Sequence, residues 1–80
     1  MTSFDKLADY DISRIKLLTD YSYDDALIGV TEDNRAIYDY DKMVRWLFEE
    51  TDAEEWINYN TIRALDYAGS DSPIIMHALA

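Results

Sequence analysis

The sequence contains no cysteine and very few of the residues that interrupt regular structure, with 2 glycines and 1 proline among 80 residues. Without cysteine there is no disulfide framework and no thiolate metal site. No apolar run approaches the roughly 20 residues that span a bilayer. The first residues also lack the basic and apolar regions of a signal peptide. We therefore expect a soluble, cytoplasmic protein.

Basic residues are also scarce, with 7 Lys and Arg against 17 Asp and Glu, a net charge of −10 and a pI of about 4.1. Because phosphate binding depends on Lys and Arg, this balance argues against direct binding of nucleic acid or of an anionic membrane. The 49% hydrophobic and 14% aromatic content is typical of a folded core. The length predicts a single domain over residues 1–80.

The negative charge is concentrated in the middle of the chain. Residues 20–55 contain twelve acids and three bases, for a net charge of −9, and five of these acids fall between Glu49 and Glu55. Such a block repels itself and destabilises a compact state. Two interpretations remain open, namely a solvated face that keeps the domain soluble and a surface that binds a basic partner.

A β-hairpin is predicted over residues 26–40, since two β-rich runs flank the sequence Glu-Asp-Asn. Asn34 is the residue expected to adopt a positive φ in the loop. Gly29 indicates a bulge or a close approach by a helix. The alternation of a strand places Leu27 and Gly29 on one face and Ile28 and Val30 on the other.

The segments at both ends of the chain leave alternatives open. Apolar spacing over residues 1–19 is typical of a helical segment, either one helix or two, with Asp11 or Ser13 as the second N-cap. In the C-terminal tail, 70–80, the apolar residues 74–76 dock on the domain, and one possibility is a third strand on the hairpin edge. We therefore predict a small α+β domain, in which the hairpin packs against three to four short helices.

Residues 41–69 are predicted to be helical. Asp39 or Asp41 begins a helix that runs to about Glu50. A further helix begins at 51 or 52, where capping boxes from 51 to 54 and from 52 to 55 both fit the sequence. Asn60 is a candidate break in this helix, and Gly69 is a candidate C′ residue.

Catalytic and metal-binding patterns are largely absent. His77 is the single histidine, and nothing in the sequence orients it against Ser70 or Ser72. The Asp-Tyr-Asp sequences at 9–11 and 39–41 lack the glycine that a calcium loop needs at its sixth position. We therefore predict a protein that is not an enzyme, with no cofactor and no metal.

Four tyrosines are interleaved with acids between residues 20 and 41, where each ring can stack on a guanidinium while a neighbouring carboxylate pairs with it. Ordinary core packing is the alternative for these tyrosines, and it is the expected role of Trp46 and Trp56. The predicted partner-binding residues are the acids Asp20, Asp24, Asp25, Glu32, Asp33, Asp39, Asp41, Glu49, Glu50, Asp52, Glu54 and Glu55 and the tyrosines Tyr21, Tyr23, Tyr38 and Tyr40.

Two stretches carry a resemblance. The segment 24–44 (DDALIGVTEDNRAIYDYDKMV) and the segment 55–65 (EWINYNTIRAL), with the later Pro-Ile-Ile-Met at 73–76, are similar to segments of short acidic proteins from bacterial phages and other mobile elements. The sequence departs from that pattern at Asn34, where glycine is expected, and at Asp66, where proline is expected. The resemblance implies a mobile-element setting, in which small acidic proteins often inhibit host defence, as the anti-CRISPR proteins do.

Two functions from different classes follow from these observations. The first is an anti-CRISPR type of inhibitor, whose acidic face occupies the basic nucleic-acid surface of a CRISPR effector nuclease or another nucleic-acid-binding protein. The alternative is a small adaptor or regulatory subunit of a mobile element, which binds its partner through tyrosine and apolar surface. The sequence leaves the oligomeric state open.

Overall fold

The structure is a computed structural model that describes residues 2–18, 21–47, 52–65 and 69–79. Helices and a three-stranded mixed sheet confirm the predicted α+β class. The helices are α1 (Ser3–Lys6), α2 (Tyr40–Trp46), α3 (Ala53–Trp56) and α4 (Arg63–Leu65). The strands are β1 (Leu27–Val30), β2 (Ala36–Asp39) and β3 (Ile74–Met76). Short 3-10 turns cover Ile12–Arg14 and Asp24–Ala26, and a π-helical segment, Ile57–Ile62, joins α3 to α4.

The sheet has the order β1-β2-β3. Strands β1 and β2 form the predicted antiparallel hairpin, with Leu27 opposite Tyr38. Strand β3 lies parallel to β2, with Ile74 beside Ile37, so the third-strand alternative for the C-terminal tail is confirmed. Because β3 pairs with β2, strand β1 remains at the edge of the sheet.

The hairpin loop follows the predicted turn chemistry. Asn34 has a φ of 64°, a conformation that asparagine adopts more readily than most residues. The Thr31 N–H donates to the Arg35 carbonyl at 2.9 Å, and the Arg35 N–H donates to the Thr31 hydroxyl oxygen at 3.0 Å. The Thr31 hydroxyl in turn donates to the Asp33 carboxylate. These bonds satisfy the polar groups of the loop locally.

A bulge interrupts β1, as Gly29 predicted, because the pairing register shifts between Leu27 and Gly29. The bulge also changes which side chains face the core. Leu27 is buried and Val30 packs half-buried against the core, whereas Ile28 is 44% exposed. The pairing puts Leu27 opposite Tyr38 and Val30 opposite Ala36 on one face of the sheet, and Gly29 opposite Ile37 on the other face. The predictions that Leu27 shares a face with Gly29 and that Val30 lies on the opposite face from Leu27 are therefore wrong, since the extra residue breaks the alternation of the strand.

Helix α2 begins directly where β2 ends. The Asp39 carboxylate caps it, accepting the N–H groups of Asp41 at 3.0 Å and Lys42 at 3.3 Å. Asp39 is therefore the cap, and Asp41 lies in the first turn. The described helix ends at Trp46, and the predicted extension to Glu50 lies outside the described residues.

The N-terminal segment forms two short helical pieces rather than one helix. Thr2 and Asp5 form a capping box around α1, and Asp11 caps the 3-10 turn by accepting the Ser13 N–H at 3.2 Å. Phe4, placed by the spacing on an apolar helix face, is 65% exposed. The register of one continuous helix is lost between the two pieces, so the predicted apolar face does not form there.

The helical region after residue 51 departs from the sequence patterns at its start. Asp52 precedes α3 without a side-chain capping bond, so the predicted box from Asp52 to Glu55 does not form. The alternative box from Thr51 begins outside the described residues. Asn60 does not break the region, because the chain continues through the π-helical segment. Gly69 has a φ of 96°, as suits a C′ residue.

The core lies between the sheet and the helices. Its largest fully buried side chains include two aromatic rings from different parts of the hairpin region, Tyr23 and Tyr38, whose centroids are 6.4 Å apart in an edge-to-face arrangement. Leu7 of the N-terminal segment, Met43 of α2, and Ile57 and Thr61 of the π-helical segment complete this set of large side chains. The N-terminal segment, the sheet and the helices thus contribute to one core.

Substitution of Asp39 by alanine tests the coupling between β2 and α2. We expect Asp39→Ala to lower the free energy of unfolding by about 1 kcal/mol, the usual effect of removing an N-cap acceptor. Asp39→Asn keeps an acceptor oxygen and should recover most of this loss. Urea unfolding of both variants measures the difference, and equal stabilities of the alanine and asparagine variants would contradict the capping role.

Candidate partner-binding surface

Seven acids of the central segment are exposed and form no ion pair within the described residues. The described ion pairs, Asp11 with Arg14 and Lys16 with Asp71, both lie outside that segment. Within the part of the chain that the structure describes, no cation therefore neutralises these seven carboxylates at contact distance. The exposed acids are Asp25, Glu32, Asp33, Asp41, Asp52, Glu54 and Glu55.

The hairpin separates the exposed acids along its length. Glu32 and Asp33 lie in the loop, and we call them the hairpin-tip acids. Asp25 precedes β1 and Asp41 follows β2, so both lie at the opposite end of the antiparallel pair. Four residues of strand span roughly 13 Å. The hairpin-tip acids are therefore separated from Asp25 and Asp41 by about the length of a strand.

The third group of exposed acids lies at the start of the second helical region. Asp52, Glu54 and Glu55, which we call the α3 acids, fall within four consecutive positions. Glu54 lies close enough to Tyr40 to contribute, after burial, to raising the pKa of that hydroxyl. The α3 acids thus continue the densest acidic stretch of the sequence. Glu49 and Glu50 of that stretch, like Asp20, lie outside the described residues.

Basic side chains interrupt the acidic surface at one place. Asp25 lines a cleft together with Lys42, Arg45 and Trp46. The surface around Asp25 is therefore of mixed charge. The described residues of the segment 20–55 do not form a single uniform acidic face.

Two of the predicted partner-binding acids are committed to internal contacts. The Asp24 carboxylate accepts the Ser3 N–H at 2.8 Å and the Ser3 hydroxyl at 2.6 Å, which ties α1 to the turn before β1. Asp39 is 9% exposed and caps α2. Neither presents a free carboxylate to a partner, because each satisfies buried or half-buried donors that would otherwise lack an acceptor.

The interpretation of the tyrosines as a surface is wrong for three of the four. Tyr23 and Tyr38 are fully buried, and Tyr40 is 9% exposed. Tyr38 points to the core from the central strand, where its hydroxyl oxygen accepts the Leu18 N–H at 3.3 Å and burial raises its pKa. Tyr40 packs its ring against His77, with centroids 4.6 Å apart. A tyrosine buries a large ring while its hydroxyl meets a polar group, so core packing prevails here.

Tyr21 is the member of the four that stays at the surface, with 39% exposure. Its ring lies 5.1 Å from the half-buried indole of Trp56 and 5.9 Å from the ring of Tyr23. Trp56 follows the α3 acids in the same helix. An aromatic pair thus lies beside the densest group of carboxylates, an arrangement suited to contact with guanidinium groups.

Exposed apolar residues form a second feature that sequence reasoning did not assign to the surface. Phe4, Tyr10 and Ile28 are exposed. The bulge at Gly29 was the available signal for Ile28, because a bulge changes the face of the following side chains. Tyr10 and Ile28 line the same groove, beside the open edge of β1.

Within the described ranges, no helix is long and apolar enough to cross a membrane. In the same part of the chain, no group of three or more metal-ligating side chains comes together. Comparison of the chain with protein-family models, with curated proteins and with solved structures found no match.

The pairing of Asp24 with Ser3 predicts a specific pH dependence. The Ser3 hydroxyl, followed by its N–H, holds the pKa of Asp24 below the ordinary value of 3.8. A lowered folded-state pKa stabilises the fold above the unfolded value, and this stabilisation is lost as the pH falls through the folded value. As the pH falls below about 4, the free energy of unfolding should fall less steeply for Asp24→Asn than for the parent.

Urea unfolding at several pH values measures this slope. Asp25→Asn is the matched control, since it removes the adjacent exposed carboxylate, which has no hydrogen bond or ion pair in the described residues. Identical slopes for the parent and Asp24→Asn would show that the Ser3 contact has no part in acid stability.

Proposed function

We propose that this protein is a binding inhibitor that occupies the basic nucleic-acid surface of another protein, with a CRISPR effector nuclease as the expected target. The observation that carries the proposal is the set of seven exposed carboxylates with no ion pair among the described residues. A folded domain that leaves so much negative charge without partners gains free energy when a cationic surface approaches it.

The target class follows from the chemistry of such surfaces. Proteins that hold nucleic acid do so with Lys and Arg that contact phosphates and release counterions on binding. Channels of CRISPR effectors hold the guide–target duplex in this way. A carboxylate surface competes for the same cations, so inhibition proceeds by exclusion of the nucleic acid and requires no catalytic step.

The structure favours the α3 acids as the main contact. They are exposed, they lie next to the aromatic pair of Tyr21 and Trp56, and no described cation lies within ion-pair distance of them. An arginine of the partner can stack on an exposed ring and pair with a carboxylate in the same contact. The hairpin-tip acids lie in a loop whose Asp33 is already engaged by the Thr31 hydroxyl.

A second candidate function, a mobile-element adaptor, draws support from a different observation. Phe4, Tyr10 and Ile28 are exposed apolar side chains, and Tyr10 and Ile28 line one groove. An adaptor that docks through them would bind with little dependence on ionic strength, since salt screens charges and leaves apolar contact intact. Salt dependence therefore separates the two candidates.

The first test is a target-DNA cleavage assay with a panel of purified CRISPR effectors, at low salt and at about 0.5 M salt. Inhibition that fades with salt supports the acidic inhibitor, because screening at that ionic strength shortens the Debye length to roughly 4 Å. Inhibition that is equal at both salt concentrations would indicate that apolar surface makes the contact. Absence of inhibition across the panel would favour the adaptor function.

A pair of variants with equal net charge locates the contact on an inhibited effector. Glu54→Gln/Glu55→Gln and Glu32→Gln/Asp33→Asn each remove two negative charges. We expect the first to weaken inhibition roughly three- to thirty-fold, as the loss of two interfacial charge pairs implies. The second is the matched control and should stay close to the parent. Equal weakening by both variants would assign the effect to net charge rather than to the α3 acids.

A further inference from the structure

A cleft of about 640 Å³ lies between α2 and the turn that precedes β1. Asp25 lines it from the turn, and Lys42, Arg45 and Trp46 line it from the helix. Sites that hold small molecules have volumes in this range, and they combine aromatic or apolar walls with a few polar groups. The described lining has that composition, because it joins an indole to two cations and one carboxylate.

The two cations of the cleft differ from the other basic side chains of the sequence. The chain has 7 Lys and Arg, and five of them contact a carbonyl, a carboxylate or an aromatic ring within the fold. These five are Lys6, Arg14, Lys16, Arg35 and Arg63. Lys42 and Arg45 are exposed, and in the part of the chain that the structure describes their side chains form no hydrogen bond and no ion pair. A strongly acidic chain thus keeps its two uncommitted cations in one cleft.

The spacing along α2 places these cations on the same side of the helix as the indole. Lys42 precedes Arg45 by three residues and Trp46 by four, and side chains at these spacings are neighbours on a helix surface. Arg45 also follows Asp41 by four residues, a spacing at which an acid and an arginine commonly pair. The two form no ion pair, and Arg45 lines the cleft instead. The helix therefore presents both cations to the cleft without neutralising them.

The opposite charges on the two sides of the cleft do not meet. No ion pair joins Asp25 to Lys42 or Arg45, although all three line the same space. A molecule that fills this space can pair an anionic group with the cations and donate a hydrogen bond to the carboxylate. The net charge of −10 opposes an anion at long range, but salt screens exposed charges beyond about 8 Å at physiological ionic strength. The charges at contact distance therefore decide what the cleft binds.

We infer that this cleft binds a small molecule in which a planar ring carries an anionic group, the chemistry that mononucleotides and aromatic carboxylates share. The anionic group contacts Lys42 and Arg45, whose backbone positions are about 4.5 Å apart along the helix axis. The ring stacks on Trp46, which is half-buried and packed against the core, so that its position is held before the ligand arrives. The inference does not depend on a basic partner, and its failure would leave the proposed function intact.

The first experiment titrates adenosine monophosphate into the full chain labelled with nitrogen-15. The chain has 2 tryptophans, so the indole N–H signal of Trp46 reports on the cleft and that of Trp56 on the aromatic pair with Tyr21. We expect a saturable shift of the Trp46 signal and no shift of the Trp56 signal. Adenosine and inorganic phosphate each supply one half of the proposed chemistry, and each should bind at least about tenfold more weakly.

Benzoate distinguishes the two sources of this chemistry, because it joins a ring to a carboxylate without a sugar. Benzoate binding as tight as that of adenosine monophosphate would identify an aromatic carboxylate as the ligand class. Weaker binding of benzoate would identify a nucleotide.

Two double variants with the same change in net charge locate the site. Lys42→Gln/Arg45→Gln removes both cations of the cleft, and we expect it to weaken binding of adenosine monophosphate roughly threefold to thirtyfold. Arg14→Gln/Arg63→Gln removes two cations outside the described lining and should stay within about twofold of the parent. All four side chains are exposed, so neither variant alters the core.

Four results would overturn the inference. An unchanged Trp46 signal at millimolar adenosine monophosphate would exclude the cleft as its binding site. Equally tight binding of inorganic phosphate would show contact with an anion alone, without a role for the ring. Equal weakening by both double variants would assign the binding to net charge. Tighter binding of a blocked glutamate hexapeptide would make an acidic protein segment the occupant in place of a small molecule.

Discussion

The capping of α2 by Asp39 is the contact on which the arrangement of the sheet and the helices depends. Asp39 is the last residue of the central strand, and its carboxylate accepts two N–H groups of the first turn of the helix that follows. No loop separates the two elements, so the direction of β2 determines the direction of α2. This in turn places Met43 in the core and leaves Lys42 and Arg45 beside Asp25 on the surface. One side chain therefore links the backbone geometry of the sheet to the distribution of charge outside it.

The acidic side chains of the central segment have two different roles. Carboxylates without ion pairs among the described residues act at a distance, and salt weakens their effect. Asp24 and Asp39 show that the same residue type also has purely internal roles in this chain. Net charge alone therefore overstates the binding surface. The exposed acids of the central segment are those that neither cap α2, as Asp39 does, nor bind Ser3, as Asp24 does.

Local signals in the sequence were sufficient for the elements that depend on local physics. Asn34 predicted the positive φ of the loop, because asparagine tolerates that geometry better than most residues. Gly29 predicted the bulge, because a glycine has no side chain to pack within a strand. From the sequence, a third strand is one possibility among others for the docking of residues 74–76. Its parallel pairing with β2 depends on contacts far apart along the chain, which no local pattern contains.

The tyrosines show why the candidate site was harder to predict than the fold. A tyrosine flanked by aspartates has the same local sequence whether its ring faces solvent or the core. Tyr38 is buried because it lies on the inward face of the central strand, and Tyr23 is buried because its ring packs against that of Tyr38. Tyr40 begins α2 and packs against His77, whereas Tyr21 stays at the surface. These contacts join residues that are far apart along the chain, so the local sequence could not distinguish the buried tyrosines from the exposed one.

The parallel pairing of β3 with β2 has a consequence for the order in which the chain folds. The hairpin joins residues that are close in sequence, so its closure costs little chain entropy. Strand β3 reaches β2 only after all the intervening helical residues have been spanned, and non-local pairings of this kind form slowly. The Arg35 guanidinium, which donates to the Ser72 carbonyl at 2.9 Å, and the ion pair of Lys16 with Asp71 at 2.8 Å hold the segment just before β3. We therefore expect β3 to dock last, onto a hairpin already formed, so that the sheet has two open edges until β3 pairs with β2.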